Sequence, residues 1–483
     1  MVSKEKKTRE AKLWEALIPV IGTIALLMYS VLPYFKVNQS VHIPLVFGTL
    51  LAAIVAITRL GYTWKDIEEG IISSISGTMQ AIIILAIIGM IIGTWILGGI
   101  VPTLIFYGLK VLSPGVFLVA ACILCCIVSL ATGSSWTTAG TVGIALMGVA
   151  AGLGIPAPMA AGAIISGAYF GDKMSPLSDT TNLAPAMAGS NLFDHIRHMV
   201  YTTGVSLVIA LVGYAILGFR FAGTTLDKSK IDAITDLMSK NFTITPLLLI
   251  VPLIVIIMVA KKVPAIPGLF IGVLLGGVAA MTTQGASFSA VMDSMQNGVV
   301  SETKNVVLDT LLTRGGYQSM MFTISLILAA LAFGGTLEKT GMLESISKRV
   351  LRYAKSTGSL VTATVFTSMF TNILAGDQYL SIVLPGKMYK DEFRKRGLAP
   401  RNLSRCLEDA GTLTSPLVPW NTCGATMSTY LGVATVSYLP YCFLNLVNPF
   451  VSIFFGFTGI TMMKLEDDPS APEYKGAKLQ SKK

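Results

Sequence analysis

Apolar runs that approach or exceed the length of a membrane span recur along most of this chain. They lie at 13–34, 42–60, 79–101, 199–219, 247–260, 266–281, 319–333 and 441–463. A helix needs about 20 apolar residues to cross a hydrocarbon core of ~30 Å. Including the interrupted segments described next, we expect roughly ten to twelve transmembrane segments. The alternation typical of a β-barrel is missing, so the pattern predicts an all-α polytopic membrane protein.

One polar stretch, 171–181, interrupts apolar sequence on both sides. It contains two carboxylates, Asp172 and Asp179, together with Lys173 and the helix-breaking Pro176. A charge at the centre of a bilayer costs at least ~2.5 to 3.5 kcal/mol, so such a cluster is functional by default. Three further polar breaks lie at 131–138, 372–379 and 408–422. These breaks predict discontinuous helices and helical hairpins with polar tips.

The order of spans and breaks occurs twice. Gly99 aligns with Gly341 at an offset of 242, the motif at 133–136 aligns with 376–379 at an offset of 243, and Ser-Pro-Leu at 175–177 aligns with 415–417 at an offset of 240. Three anchors at nearly constant spacing indicate an internal repeat.

Charge predicts how the two copies are oriented. The flanks of the second tip, 339–355 and 387–405, are rich in Lys and Arg, whereas the flanks of the first tip, 100–114 and 151–156, contain only Lys110. By the positive-inside rule, the two tips enter from opposite sides as re-entrant hairpins. We therefore expect two inverted-topology repeats, a plan that recurs in secondary transporters. The predicted parts are a cytoplasmic basic N-terminus (1–12), the first transmembrane repeat (13–219), a polar connector (220–243), the second transmembrane repeat (244–463) and a disordered tail (464–483).

Composition supports this class. Hydrophobic residues make up 53% of the 483 positions, charged residues 13%, and mean hydropathy is +0.69, which excludes an ordinary soluble domain. The net charge of +10 comes from Lys and Arg at segment ends, so it reflects membrane orientation and not nucleic-acid binding. The six cysteines are expected to pack as small apolar residues. No His-based metal motif or Ser/His/acid grouping favours an enzyme, and we expect no cofactor.

The four breaks together supply an oxygen-rich set suited to a hard cation such as Na+. A buried carboxyl group has a raised pKa, so one such group can exchange a proton for Na+ near neutral pH. Our candidate ion-binding carboxylates are Asp172, Asp179 and Asp377. Hydroxyl, amide and carbonyl groups that complete the set are expected at Thr132, Ser134, Ser135, Ser175, Ser178, Thr180, Gln378, Asn421 and Thr422.

Structural alternatives stand beside these assignments. Asp172 and Lys173 could form an ion pair, Asp179 could cap the helix that follows it, and the tip hydroxyls could satisfy only the hairpin backbone. Glu408 and Asp409 could lie at the membrane interface beside Arg405. We expect His195 and His198 at the interface as well.

The motifs GSSWTTAGTVG at 133–143, GDKMSPLSDTTNLA at 171–184, GDQY at 376–379 and SPLVPWNTCG at 415–424 resemble the NhaC family of bacterial Na+/H+ antiporters, within the ion transporter superfamily. The resemblance implies exchange of Na+ for H+ across the bacterial plasma membrane, by a multi-pass protein with a cytoplasmic N-terminus. That family also includes Na+- and proton-coupled malate/lactate antiporters, so a small carboxylate is the alternative cargo. The expected partners are the lipid bilayer, Na+ and H+, with a homodimer as one allowed assembly.

Overall fold

The structure is a computed structural model that describes residues 8–31, 41–222, 228–261, 263–303, 305, 309, 312–352 and 354–468. Within these ranges the regular structure is helical, apart from isolated β-bridges between Val299 and Arg314 and between Leu398 and Lys464. The predicted all-α class is confirmed. Most of the predicted basic N-terminus and the predicted tail beyond Asp468 lie outside the described residues.

The first half consists of long helices interrupted by short breaks. Its helices are Leu13–Val31, His42–Val55 continuing as Ala56–Leu60, Trp64–Leu97, Ile100–Val111, Pro114–Thr132, Ser135–Thr138 continuing through Ala139–Gly143 to Ile144–Gly152, Ala157–Met174, Asp179–Ala188 and Leu192–Ala222.

The second half begins within the predicted connector, which contains the helix Lys228–Asn241. The remaining helices are Pro246–Leu249, Ile250–Ala260, Ala265–Thr283, Phe288–Asn297, Tyr317–Met320, Met321–Lys339, Met342–Leu351, Thr357–Ala375, Leu380–Lys395, Pro400–Leu407, Glu408–Thr412, Ser415–Leu417, Thr422–Leu431, Thr435–Tyr438, Leu439–Tyr441, Phe443–Thr458 and Leu465–Asp467.

Seven described helices are long and apolar enough to cross a bilayer, and counting each of two bent pairs as one span gives up to nine. The estimate of ten to twelve segments included pieces of broken helices. Those pieces, such as Ala157–Met174, are too short or too polar to qualify by themselves. The protein is therefore a multi-pass helical membrane protein with interrupted spans.

Two helix–turn–helix units carry the predicted tips. We call residues 114–152 the first hairpin and residues 357–395 the second hairpin. The first helix of each unit ends at a glycine in the left-handed conformation, Gly133 with φ 69° and Gly376 with φ 65°. These are the two glycines aligned by the sequence repeat. A residue with a β-carbon is strained in this conformation, so the same turn chemistry occurs at both tips.

Two broken helices follow the hairpins. The first broken helix is Ala157–Met174 plus Asp179–Ala188, and the second is Pro400–Thr412 plus Thr422–Leu431, with breaks at 175–178 and 413–421. Pro176 and Pro416 lie in these breaks and cannot donate a backbone hydrogen bond. At membrane depth, interrupted backbone must be satisfied within the protein or line a water-filled cavity. The four elements are thus arranged as one hairpin and one broken helix in each half, consistent with the predicted repeat.

Glycines on Trp64–Leu97 allow close backbone packing. A β-carbon added at Gly93 would lie 2.0 Å from the carbonyl oxygen of Ser294, and one at Gly89 would lie 2.5 Å from that of Gly316. The backbone N–H of Gly316 donates to the Gly89 carbonyl at 2.7 Å. Trp64–Leu97 is thereby fixed against the segment that precedes Met321–Lys339.

Replacing Gly93 with Ala is expected to destabilise the protein by about 1–3 kcal/mol, because the added methyl group overpacks a backbone contact. The measurement is unfolding of purified protein in mixed micelles. Gly77→Ala on the same helix is the control, since a β-carbon there meets nothing within 4 Å. Equal stability of the two variants would contradict the proposed close packing.

Candidate functional site

A cavity of about 450 Å³ lies where the two hairpin tips and the two broken helices meet. Its size is within the range of ~300–1,000 Å³ typical of small-molecule sites. Most of the sequence-predicted site residues line it. These are Thr132, Ser134, Ser135, Asp172, Ser178, Asp179, Thr180, Gln378 and Thr422.

Asp172 is the buried carboxylate of this cavity. It lies in the last turn of the helix Ala157–Met174, with 8% of its surface exposed. The hydroxyl of Ser135, at the tip of the first hairpin, donates a hydrogen bond of 2.6 Å to its Oδ2 atom. Since Ser135 and Asp172 are 37 positions apart, the fold brings together two candidates from separate polar breaks. The suggested ion pair between Asp172 and Lys173 is wrong, because Lys173 pairs with Asp409.

Asp179 is an exposed carboxylate at the wall of the cavity. It is the first residue of the helix Asp179–Ala188, but the cap of that helix is Ser178, whose hydroxyl accepts the backbone N–H of Thr181 at 3.4 Å. The alternative in which Asp179 caps the helix is therefore wrong. The Thr181 hydroxyl donates to the carbonyls of Asp172 and Lys173 at 3.1 and 2.9 Å, satisfying the end of the preceding helix.

Asp377 is buried beside the cavity and is not among its lining residues. Its Oδ1 atom accepts the backbone N–H of Leu380 at 2.9 Å, and its Oδ2 atom lies 3.4 Å from the hydroxyl of Thr78, which does line the cavity. The neighbouring Gln378 accepts from the thiol of Cys423 at 2.8 Å. The side-chain nitrogen of Gln378 has no hydrogen-bond partner among the described residues.

Several candidate polar groups serve the backbone instead. Ser134 caps the helix that follows the first tip by accepting the N–H of Thr137 at 3.1 Å. Ser175 donates to the carbonyl of Leu130 at 2.8 Å, and Asn421 caps Thr422–Leu431 by accepting the N–H of Cys423 at 3.0 Å. Ser175 and Asn421 do not line the cavity. For these two residues the structure favours the backbone-satisfying alternative.

In this conformation the three aspartates do not form one ligand set. In the part of the chain that the structure describes, no group of three His, Cys, Asp or Glu side chains could hold a metal ion. A cation in the cavity would therefore be held by one or two carboxylates together with hydroxyl, amide or carbonyl oxygens. Such mixed oxygen sets suit a hard monovalent cation.

Sequence reasoning missed one wall of the cavity. Thr78 and Gln80, on the helix Trp64–Leu97, line it together with residues 263–265. The sequence signal for this wall was that two polar residues, Thr78 and Gln80, flank Met79 within a long and mostly apolar helix. The predicted span began at residue 79, which placed this pair at the edge of the membrane.

A second polar cluster joins the two broken helices. The Lys173 ammonium pairs with Asp409, and both side chains are fully buried. Asp409 also accepts from Thr202 at 2.9 Å and from Asn448 at 2.7 Å. The alternative that sets Glu408 and Asp409 beside Arg405 holds for Asp409, whose Oδ2 atom lies 3.7 Å from Arg405 Nε, and both acids are completely enclosed by their neighbours.

His195 and His198, which were expected at the membrane interface, are enclosed by protein. They are 0% and 3% exposed, on the inner side of Leu192–Ala222, where His198 contacts Arg405 at 3.2 Å. Near the start of Leu192–Ala222, Asp194 pairs with Arg401, which also pairs with Asp468. The part of the predicted tail up to Asp468 is accordingly packed against the second broken helix.

A bundle of apolar helices whose interrupted spans enclose a polar, carboxylate-bearing cavity defines a secondary membrane transporter. The chain belongs to the Na+/H+ antiporter family, whose sequence profile matches residues 167–460. This membership confirms the resemblance drawn from the four motifs.

Three relatives illustrate the similarity. The Na+/H+ antiporter NhaC of Alkalihalophilus pseudofirmus is 43% identical over 432 residues, covering 89% of this chain and 93% of that protein. NhaC of Bacillus subtilis is 40% identical and covers 88% and 93%. The malate-2H+/Na+-lactate antiporter of Bacillus subtilis is 38% identical and covers 94% and 96%.

Replacing Asp409 with Asn is expected to destabilise the protein by about 3–5 kcal/mol, because Lys173 is left as an uncompensated buried charge. Adding Lys173→Met should recover part of the loss, since both charges of this pair are then removed and only Arg405, 3.7 Å from Asp409 Oδ2, has lost an acidic neighbour. The measurement is unfolding in mixed micelles. Glu344→Gln, which removes an exposed partner of Lys348, is the control and should change little. A double variant no more stable than Asp409→Asn would contradict this account of the pair.

Proposed function

We propose that the protein exchanges Na+ for H+ across the bacterial plasma membrane by alternating access, with its N-terminus in the cytoplasm. The observation that carries the proposal is the buried carboxylate of Asp172 in the cavity, hydrogen-bonded at 2.6 Å to Ser135. Family membership and the names of the NhaC relatives support the same activity. A homodimeric assembly is part of this proposal and is tested separately by its mass in detergent.

Competition between Na+ and H+ for the carboxyl oxygens of Asp172 explains the exchange of the two ions. In the proton-loaded form, Asp172 is neutral and the cavity holds no cation. In the Na+-loaded form, the carboxylate and nearby hydroxyls such as Ser135 and Thr180 coordinate the ion. Since a carboxyl oxygen cannot hold a proton and a cation in the same place, binding of one ion releases the other. This competition couples the two fluxes.

The two other predicted carboxylates take different roles in this scheme. Asp179 is exposed at the cavity wall, so it attracts cations toward Asp172. Asp377 acts through Thr78, which connects it to the cavity at 3.4 Å. Asp377 therefore contributes to the electrostatic field and the shape of the site. Gln378 and Thr422 contribute as part of the cavity lining.

Alternating access requires a unit that moves as one body. The helix Pro114–Thr132 of the first hairpin packs extensively along Ala157–Met174 of the first broken helix. A β-carbon at Gly167 would lie 2.1 Å from the carbonyl oxygen of Cys122, which shows how closely the two backbones approach. We propose that this pair moves as a unit against the apolar spans, carrying Ser135 and Asp172 together.

A small organic acid is the second candidate cargo. The cavity is larger than a bare Na+ ion requires, and two helices of ten residues, Asp179–Ala188 and Thr422–Leu431, begin at its wall. Helix N-termini favour anions. However, Asp179 occupies one of these N-termini, and Asp172 lies close to it, so the local charge favours a cation.

Replacing Asp172 with Asn is expected to abolish Na+/H+ exchange, because the amide cannot exchange a proton for a cation. In everted vesicles, added Na+ should collapse a preformed pH gradient with the wild type and should leave it intact with Asp172→Asn. The exposed Asp391→Asn on Leu380–Lys395 is the control. Wild-type activity in Asp172→Asn would contradict the assigned role, and unchanged activity in Asp377→Asn would remove Asp377 from the mechanism.

Uptake of labelled lactate or malate separates the two cargo classes. Proteoliposomes with purified protein are expected to show no uptake above empty liposomes under any Na+ or pH gradient, because the charge of the cavity disfavours a carboxylate. Uptake that depends on the gradient and is abolished in Asp172→Asn would replace Na+/H+ exchange with carboxylate antiport.

A further inference from the structure

The turn Glu408–Thr412 of the second broken helix contains a buried acid that the exchange scheme above does not use. The turn is π-helical, a geometry often found at functional sites. Glu408 is 0% exposed, and neither of its carboxyl oxygens has a hydrogen-bond partner among the described residues. The hydroxyl of Thr412, one turn further along the helix, is also buried and has no hydrogen-bond partner among the described residues.

The two neighbouring cations, Lys173 and Arg405, contact Asp409 and not Glu408. Lys173 is paired with Asp409, and the Nε atom of Arg405 lies 3.7 Å from Asp409 Oδ2. Arg405 also donates to the Thr461 hydroxyl at 2.9 Å and contacts His198. Glu408 is in ion-pair contact with none of these groups.

The other helices packed against the turn bring few charges to it. Thr357–Ala375 and Phe443–Thr458 contain no charged residue, and Leu380–Lys395 carries its charges from Lys387 onward. The first broken helix contributes Asp172 and Lys173, which act on Glu408 electrostatically, together with the polar Thr180. Asp179 begins the same segment as Thr180 but lies exposed at the cavity wall.

Energetics select the protonated form of this acid. A carboxylate taken out of water without hydrogen bonds or an ion-pair contact pays the desolvation cost of a full charge. A neutral carboxylic acid with unmade hydrogen bonds pays much less. In the conformation described here, Glu408 therefore carries a proton.

We propose that Glu408 is a proton site of the transporter, separate from the carboxylates of the cavity, and that it releases its proton when a cation binds beside Asp172 and Thr180. The inference rests on the proposed Na+/H+ exchange and adds a second group that carries a proton. In the balanced step, the neutral Glu408 acid and an incoming Na+ become a Glu408 carboxylate with Na+ nearby, and one H+ leaves. Together with the proton that Asp172 releases in the exchange scheme, two H+ leave for each Na+ that binds, so the net charge of the region falls by one.

Infrared spectroscopy tests the protonated state without requiring transport. Purified wild-type protein should show the carbonyl stretch of a protonated carboxyl group that is missing in Glu408→Gln and retained in Glu408→Asp. The exposed Glu344→Gln is the matched control and should keep the band. Because glutamine has the shape of the neutral acid, Glu408→Gln should unfold at the wild-type temperature. An unchanged spectrum, a clearly lowered unfolding temperature or failure of Glu408→Gln to fold would overturn the proposal.

Proton release tests the coupling. Na+ added to weakly buffered, detergent-solubilised protein should release protons, and Glu408→Gln should release one fewer proton per bound Na+ while still binding Na+ in the cavity. Equal release by wild type and Glu408→Gln would overturn the assignment of Glu408. Failure of the wild type to bind or exchange Na+ would instead overturn the proposed function, whereas the infrared result for Glu408 would stand by itself.

Discussion

Interrupted helices inside an apolar bundle must satisfy their broken backbone without bulk water, and the rest of the site depends on how this is done. Ser134, Ser178 and Asn421 accept the first free N–H groups, and Thr181 covers the carbonyls at the end of Ala157–Met174. Because these side chains serve the backbone, the breaks are stable enough to persist at depth. The carboxylate of Asp172 is not used in this way: it faces the cavity and accepts a hydrogen bond from Ser135, which is why we propose it as the ion site.

The two halves divide the chemistry unequally although they repeat the same elements. The first half supplies Asp172, Asp179 and the hydroxyls that line most of the cavity. The second half supplies Asp409, which holds Lys173, and the unpaired Glu408. The Lys173 and Asp409 pair joins the two broken helices. In our proposal, ion binding at the cavity and protonation of Glu408 are linked because the residues involved are adjacent on these two elements.

The sequence predicted the helical class, the four breaks and most of the cavity wall, because charges and prolines in apolar sequence are costly and have few explanations. It could not predict side-chain partners that are distant in the chain. Lys173 adjoins Asp172 in sequence but pairs with Asp409, 236 positions away. His195 and His198 were assigned to the interface since they lie near the end of a span, yet tertiary packing buries them. Thr78 was missed because its contact with Asp377, 299 positions away, is set by tertiary packing.

Simultaneous recording of both ions in proteoliposomes tests the central claim most directly. Purified protein would be reconstituted with a pH dye inside, and labelled Na+ uptake would be followed under an imposed pH gradient. The account predicts that Na+ enters only as protons leave and that neither ion moves with Asp172→Asn. Na+ uptake without opposing proton movement, or coupled exchange that persists in Asp172→Asn, would contradict it.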